Sequence, residues 1–248
     1  MDRIPFNPNG MAFEIPAGKP GSYRDAQWDD YSYLKRWQFP HNPPLSLTLQ
    51  ARVSDNSLPG TWGFGFWNDP FSLGLGIKGS GTRLPALPEA AWFFYASPRS
   101  DLSFKAKKPA NGFFTTVFTS VKLPGILLPF GLPFLPLLAV KPTARLIRRI
   151  AASLIHENSH SLNLDCTIWH SYQLDWLEDE VRFWVDGKII HSSNLSPRAP
   201  LGLIIWIDNQ YATFSADGAV RFGTEENPSE AWLEVRDIEI DQASNNTS

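Results

Sequence analysis

Apolar and polar residues alternate with a period of two in several short stretches of the chain, and this predicts strands rather than helices. The clearest is Trp169–Gly187, WHSYQLDWLEDEVRFWVDG, in which Tyr172, Leu174 and Trp176 alternate with Ser171, Gln173 and Asp175. Val181, Phe183 and Val185 then alternate with Arg182, Trp184 and Asp186. The acidic run Leu177–Glu180 between them has the length of a hairpin connection. Asp186-Gly187 supplies the positive φ of a second tight turn, before a return strand that starts at Lys188–Ile190. Leu45–Val53, Trp62–Trp67, Glu89–Ser97, Phe113–Val121, Leu201–Ile207 and Trp232–Asp241 read as further strands, with Ser54–Gly60 as a turn. Residues 1–42, rich in proline, glycine and aromatics, predict an irregular wrap with a first short strand near Tyr31–Phe39. Asp208-Asn209-Gln210-Tyr211, a polar run directly after a buried strand, is a candidate site, since loops at strand ends carry function on rigid scaffolds.

One segment breaks the pattern. Leu123–Leu138 is apolar throughout but interrupted by Pro124, Pro129, Pro133 and Pro136. It is shorter than the roughly 20 residues of a membrane-spanning helix, and its prolines remove helix hydrogen bonds. Lys141–Ile155 then predicts a short amphipathic helix, with Leu146, Ile147, Ile150, Ala151 and Leu154 on one side and Arg145, Arg148 and Arg149 opposite. Residues 123–155 together form an insertion. A lid over a cleft is the expectation taken forward; a patch touching a membrane or partner subunit and a structural plug are the alternatives.

Length and composition narrow the classes. A chain of 248 residues suits one sandwich domain spanning 1–248. With 22 basic and 25 acidic residues the net charge is −3, so no global field draws the chain to nucleic acid. The single cysteine, Cys166, excludes an intrachain disulfide and a cysteine metal cluster, and reads as a small core residue. The first ten residues lack the apolar stretch of a secretory signal, so the sequence as it stands predicts a cytoplasmic protein, with export after removal of a leader as the alternative. The glycine-rich GLGIKGSG is not followed by a Lys-Ser/Thr pair or a helix pattern, and reads as a loop rather than a phosphate cradle. His156-Glu157-Asn158-Ser159-His160 carries a metal-like spacing, but the zinc signature needs a sustained helix and a third ligand. It is expected to be a loop at a cleft mouth. No metal and no cofactor are predicted.

The strand segments also resemble a known family. WHSYQLDW…VRFWVDG resembles the WH-x-Y-x-x-x-W…I-x-F-Y-V-D-G hairpin of glycoside hydrolase family 16 and its concanavalin A-like relatives. Trp232–Asp241, WLEVRDIEID, is similar to that family's closing strand, and Gly60–Trp67, GTWGFGFW, to its G-x-W-P-A-F-W strand; the three fall in family order. The resemblance implies an all-β, concanavalin A-like jelly-roll sandwich of two antiparallel sheets with an aromatic ligand cleft on a concave outer face. It also implies a catalytic strand, E-I-D-I-x-E or E-x-D-x-E, at Glu89–Ser97. A retaining glycosidase needs two carboxylates roughly 5 Å apart on that strand's cleft face. Here Glu89 aligns with the first glutamate, but Ala91 replaces the aspartate and Phe93 or Phe94 the second glutamate. Standard hydrolysis is therefore expected to be lost.

Aromatic surface stands in place of the carboxylates. About half of the tryptophans are expected to face the core, and Trp62, Trp67, Trp92, Phe94 and Trp206, with Asn209, are the expected ligand-binding residues. Three functions stay open: a protein that binds a carbohydrate or apolar small molecule without hydrolysing it; a cyclase or isomerase acting on a hydrophobic substrate under the lid; and an active endo-β-glucanase-type hydrolase. The expected partner in each case is a small molecule or an oligosaccharide. Glu89, His170, Asp208 and Tyr211 are the acid–base candidates.

Overall fold

The computed structural model describes residues 7–70, 83, 86–101, 111–121, 149–150, 153–214 and 220–241. The strands are β1 (Met11–Ile15), β2 (Asp25–Asp29), β3 (Leu45–Val53), β4 (Thr61–Trp67), β5 (Ala90–Ala96), β6 (Gly112–Ser120), β7 (Ile155–Ser161) and β8 (His170–Trp176). They continue as β9 (Val181–Val185), β10 (Lys188–Ser193), β11 (Gly202–Asp208), β12 (Gln210–Phe214), β13 (Val220–Thr224) and β14 (Ala231–Asp241). Two six-stranded antiparallel sheets result, the first in the order β1-β14-β3-β8-β9-β10 and the second β2-β11-β4-β5-β6-β7, with β12-β13 a separate hairpin. This is the jelly-roll sandwich that the alternation and the resemblance predict.

The period-two pattern becomes the core directly. In β3, β8 and β9 every second residue is buried, so Leu45, Leu47, Leu49, Tyr172, Leu174, Trp176, Val181, Phe183 and Val185 face inward. Against them the second sheet sets Trp62, Phe64, Phe66, Ala91, Phe93, Tyr95, Ile205 and Ile207. Phe93 meets Tyr172 at 5.0 Å and Phe183 at 5.2 Å between ring centres, edge to face, which locks the two sheets together. The turns follow the sequence as well. Leu177 N–H donates to the Glu180 carbonyl at 2.9 Å, and Asp186 and Gly187 take φ of 49° and 72°, both positive as a two-residue hairpin turn requires.

The departures lie in polar or irregular stretches. Tyr31–Phe39 is not a strand: Asp29 Oδ1 accepts from the backbone N–H of Tyr31 and Ser32, ending β2 in a turn, and a short 3₁₀ helix follows at Arg36–Gln38. His156–His160 is not a loop but part of β7, paired to β6 along its length. The helix expected to run to Ile155 is seen at 149–150 and 153–154 and gives way to that strand. On a strand, residues four apart lie about 13 Å from each other, so His156 and His160 cannot share a metal as on a helix. Among the described residues no group of three or more His, Cys, Asp or Glu is gathered as a metal site, and no helix is long and apolar enough to cross a membrane. The glycine-rich stretch, the apolar insertion through residue 148 and the lid expected there lie outside the described residues.

Candidate functional site

Strand parity decides what the outer face of the second sheet carries. Ile205 and Ile207, Trp62 and Phe64, and Ala91 and Phe93 point into the sandwich; their alternates Ile204, Trp206 and Asp208 on β11, Thr61, Gly63, Gly65 and Trp67 on β4, and Ala90, Trp92, Phe94 and Ala96 on β5 point away. In register across the sheet, one row reads Gln27, Trp206, Gly63, Phe94, Phe114 and the next Asp29, Ile204, Gly65, Trp92, Thr116, Ser159.

Aromatic rings fill the middle of this face. Trp92 lies 5.6 Å from Trp67, 5.6 Å from Trp206 and 5.4 Å from Phe94, centre to centre. Phe94 in turn meets Trp206 at 5.5 Å and Phe114 at 5.3 Å. Trp92 Nε1 is buried with no hydrogen-bond partner. At the Trp67 end the 31–39 turn closes on the cluster. Trp67 Nε1 donates to the Tyr31 hydroxyl, and Arg83 holds the turn by donating to the carbonyls of Tyr31, Ser32 and Leu34 while paired with Asp69.

The opposite end is polar. Asp208 Oδ1 accepts from Thr61 N–H (3.2 Å), Thr61 Oγ1 (3.0 Å) and Gln210 N–H (2.9 Å), and Trp206 Nε1 donates to the same Thr61 Oγ1 at 3.0 Å. Burial pushes the Asp208 carboxyl up to about 7, against the pull of those donors, with Asp25 adding to the rise. Asp25, directly opposite Asp208 in register, is also raised by burial. Burial and then the charges of Asp208 and Asp25 raise the Tyr23 hydroxyl.

Four of the residues expected at the ligand surface, Trp67, Trp92, Phe94 and Trp206, are thus brought together. Trp62 is not: it occupies the inward parity of β4, is 2 % exposed, and stacks on Phe113 at 4.8 Å and Tyr95 at 5.7 Å in the core. Asn209 is fully buried and works as a tie, accepting from Arg24 N–H and donating to the carbonyls of Ser22 and Glu225.

The four acid–base candidates are not gathered. Glu89 is 4 % exposed and consumed by four donors: Oε1 accepts from Ser120 N–H, Arg198 Nε and Arg198 Nη2, and Oε2 from Arg198 N–H. His170 lies in the first sheet on the core side, between Asp186 Oδ2 at 2.7 Å and the Asp165 carbonyl at 3.0 Å. Tyr211, on β12, sits 4.1 Å beneath the Arg99 guanidinium. Asp208 shares the outer face with the aromatic rings.

Of the residues aligned with the family's carboxylates, Glu89 directly precedes β5 and Ala91 points inward, as does Phe93; the outward positions of β5 are Ala90, Trp92, Phe94 and Ala96, none of them acidic. Sequence reasoning missed Phe114, Thr61 and Asp25. The alternation of FFTTVFTS signals Phe114, but the five intermediate positions of β2 signal nothing.

No protein-family model and no curated sequence matches the chain. Solved structures do. An endo-acting O-glycanase of the human gut microbiota, of a kind that initiates mucin breakdown, matches with a TM-score of 0.51 at 12 % identity, over 95 % of this chain and 80 % of that one. A β-glucanase of Bacillus licheniformis (TM-score 0.42, 9 % identity, 95 % and 79 % covered) and a Bacteroides ovatus mixed-linkage glucan enzyme of glycoside hydrolase family 16 (TM-score 0.46, 8 % identity, 96 % and 84 % covered) are also similar. With two antiparallel sheets in jelly-roll order, the chain has a concanavalin A-like fold, the fold it shares with that O-glycanase.

Proposed function

We propose that the outer face of the second sheet binds a carbohydrate or an apolar small molecule by ring stacking, and that retaining hydrolysis by the family's mechanism is lost. One observation carries this reading. The outward positions of β5, where that mechanism needs a nucleophile and an acid, hold Ala90, Trp92, Phe94 and Ala96, and the two aromatics among them join Trp67 and Trp206 in one cluster. No apolar side chain protonates a leaving oxygen or attacks an anomeric carbon. Flat rings with a polar margin are what a sugar's C–H face or an extended apolar molecule stacks on.

A second reading is favoured by the Asp208 carboxyl, raised to about 7 beside these rings. An acid poised near neutral pH next to faces that stabilise positive charge suits a cyclisation or isomerisation of a hydrophobic substrate. A thermal-shift and native-mass screen of the purified protein against β-glucan oligosaccharides, polyenes and terpenoids, with products analysed in the same tubes, tests both. Stabilisation by an intact ligand is the expected result. Conversion of an apolar compound would select the second reading, and cleaved sugar would overturn the loss of hydrolysis.

A further inference from the structure

Beyond the aromatic cluster, the same face brings two carboxyls side by side. Asp208 on β11 and Asp25 on β2 are directly opposed in an antiparallel pair, one step along from the Trp206–Gln27 pair. Residues opposed in this way have Cβ atoms about 5 Å apart on one face of the sheet. Asp208 is nine-tenths buried, at 9 % exposure, and its three donors among the described residues all converge on Oδ1, so Oδ2 receives none from them. Asp25 Oδ2 is shut away from solvent and also has no partner. Two neighbouring carboxylates, one of which keeps a bare, desolvated oxygen, repel one another; a proton held between them removes both costs.

Among the described residues no cation pairs with either carboxyl; the charge of the N-terminal amine lowers Asp25, and burial outweighs it. Tyr23 faces the pair as a hydroxyl, the Arg24 guanidinium is turned to the carbonyls of Lys19 and Ser22, and Glu225 on the far side of Thr61 is bonded to Ser97 and to Gly60 N–H. Thr61 links the pair to the aromatic surface, because its one hydroxyl donates to Asp208 and accepts from the indole edge of Trp206.

We propose that Asp25 and Asp208 form a carboxyl pair holding one proton between them, and that this pair is the polar subsite for the hydroxyl groups of a saccharide ring stacked on Trp206. A protonated pair presents a donor and an acceptor together, which is what vicinal hydroxyls require. The inference rests on the aromatic face being the ligand surface, and it narrows that surface's ligand to one bearing hydroxyls.

Calorimetric titration with a β-glucan tetrasaccharide, on the wild type and on Asp208→Asn, Asp25→Asn and Trp92→Ala, separates the two ideas. Loss of a hydrogen bond to an ionised pair predicts affinity at least about tenfold weaker in both aspartate variants. Weaker binding in Trp92→Ala with unchanged binding in both aspartate variants overturns the subsite and leaves the stacking surface standing. Weaker binding in the aspartate variants alone overturns the stacking of the saccharide on the aromatic face, and with it the subsite as placed here. A wild type that binds no saccharide at millimolar concentration overturns the proposed ligand class, and the apolar compounds then decide the aromatic face by themselves. Carboxyl ¹³C NMR checks the pair in the unmodified protein, so a poorly folding variant does not block the test. Two coupled titration steps are expected, and independent titration of Asp25 and Asp208 overturns the shared proton.

Discussion

The rings of Trp92 and Trp206 meet at 5.6 Å although their strands are not neighbours. β4 runs between β5 and β11, and opposite the two tryptophans it carries Gly65 and Gly63. The aromatic cluster, in which Phe94 and Trp206 are buried, therefore depends on a strand with no side chains at those two positions, and the sequence GTWGFGFW encodes both layers at once. Its even aromatics fill the core, and its glycines give room to rings from either side.

Gly63→Ala tests this dependence. A Cβ at residue 63 would stand 2.4 Å from the Phe93 carbonyl oxygen and 2.8 Å from Trp206 Cη2, distances that force a backbone or ring to move. Overpacking of this kind costs about 1–3 kcal/mol. The expected outcome is a lower melting temperature with altered tryptophan fluorescence. An unchanged melt and spectrum would mean that the Trp206 ring does not lie over β4.

Glu89 was the residue most open to a catalytic reading, and its hydrogen bonds predict a structural one instead. Its carboxylate joins the start of β5 to the end of β6 through Ser120 N–H, and to the loop after β10 through Arg198. Glu89→Ala leaves Arg198 and two backbone donors unpaired, with an expected loss of about 3–5 kcal/mol in denaturant unfolding. Any turnover that a screen reveals should fall in Glu89→Gln only as far as the folded fraction falls. A variant that folds as stably as wild type but loses turnover would return Glu89 to the chemistry.

Much of this fold was legible because most strands bury one face. β3, β8, β9 and β14 alternate cleanly, and the Asp-Gly turn fixes the return into β10. β7 is hidden because IHENSHS is polar on both sides and is held by backbone pairing to β6 and by side-chain contacts of Ser159, Asn158 and His160, none of which leaves an alternating apolar pattern. β2 was hidden because none of its residues is fully buried, and with it went Asp25. The site suffered from the opposite problem. β11 is buried at every position and β5 at all but one, so neither strand shows a polar phase from which to read its register. Without that phase the tryptophans can be named but not their faces: Trp62 is expected at the ligand surface and lies in the core, and Glu89, Ala91 and Phe93 align with a catalytic row whose outward places Ala90, Trp92 and Phe94 occupy.

Asp208 should leave a signature in the pH dependence of stability. Its folded value of about 7 lies above the unfolded carboxyl's roughly 3.9, so the folded state holds the proton more tightly. The stability this contributes is complete below about pH 4 and lost as pH rises through about 7, a change on the order of 4 kcal/mol. Asp208→Asn removes it. Urea unfolding at pH 4.5 and pH 8 should show the wild type losing stability across that interval by more than the variant does. Parallel profiles would mean that the carboxyl is ionised throughout.

The two indole N–H groups on the aromatic face differ in a way that substitution by phenylalanine exposes. Trp206 Nε1 is bonded to Thr61 Oγ1 at 3.0 Å, whereas Trp92 Nε1 is buried with no partner. Both changes to phenylalanine remove a similar ring volume, so the packing loss largely cancels in the comparison. Trp206→Phe also forfeits a hydrogen bond worth about 1 kcal/mol, while Trp92→Phe removes a donor whose desolvation already costs about 1–3 kcal/mol. Trp206→Phe should therefore be the less stable variant by about 2–4 kcal/mol in denaturant unfolding. The order should reverse for ligand affinity wherever a bound molecule supplies Trp92 with the acceptor it lacks, because only then does that N–H contribute. Equal stabilities for the two variants would mean that the Trp92 donor is already satisfied in solution and carries no specificity.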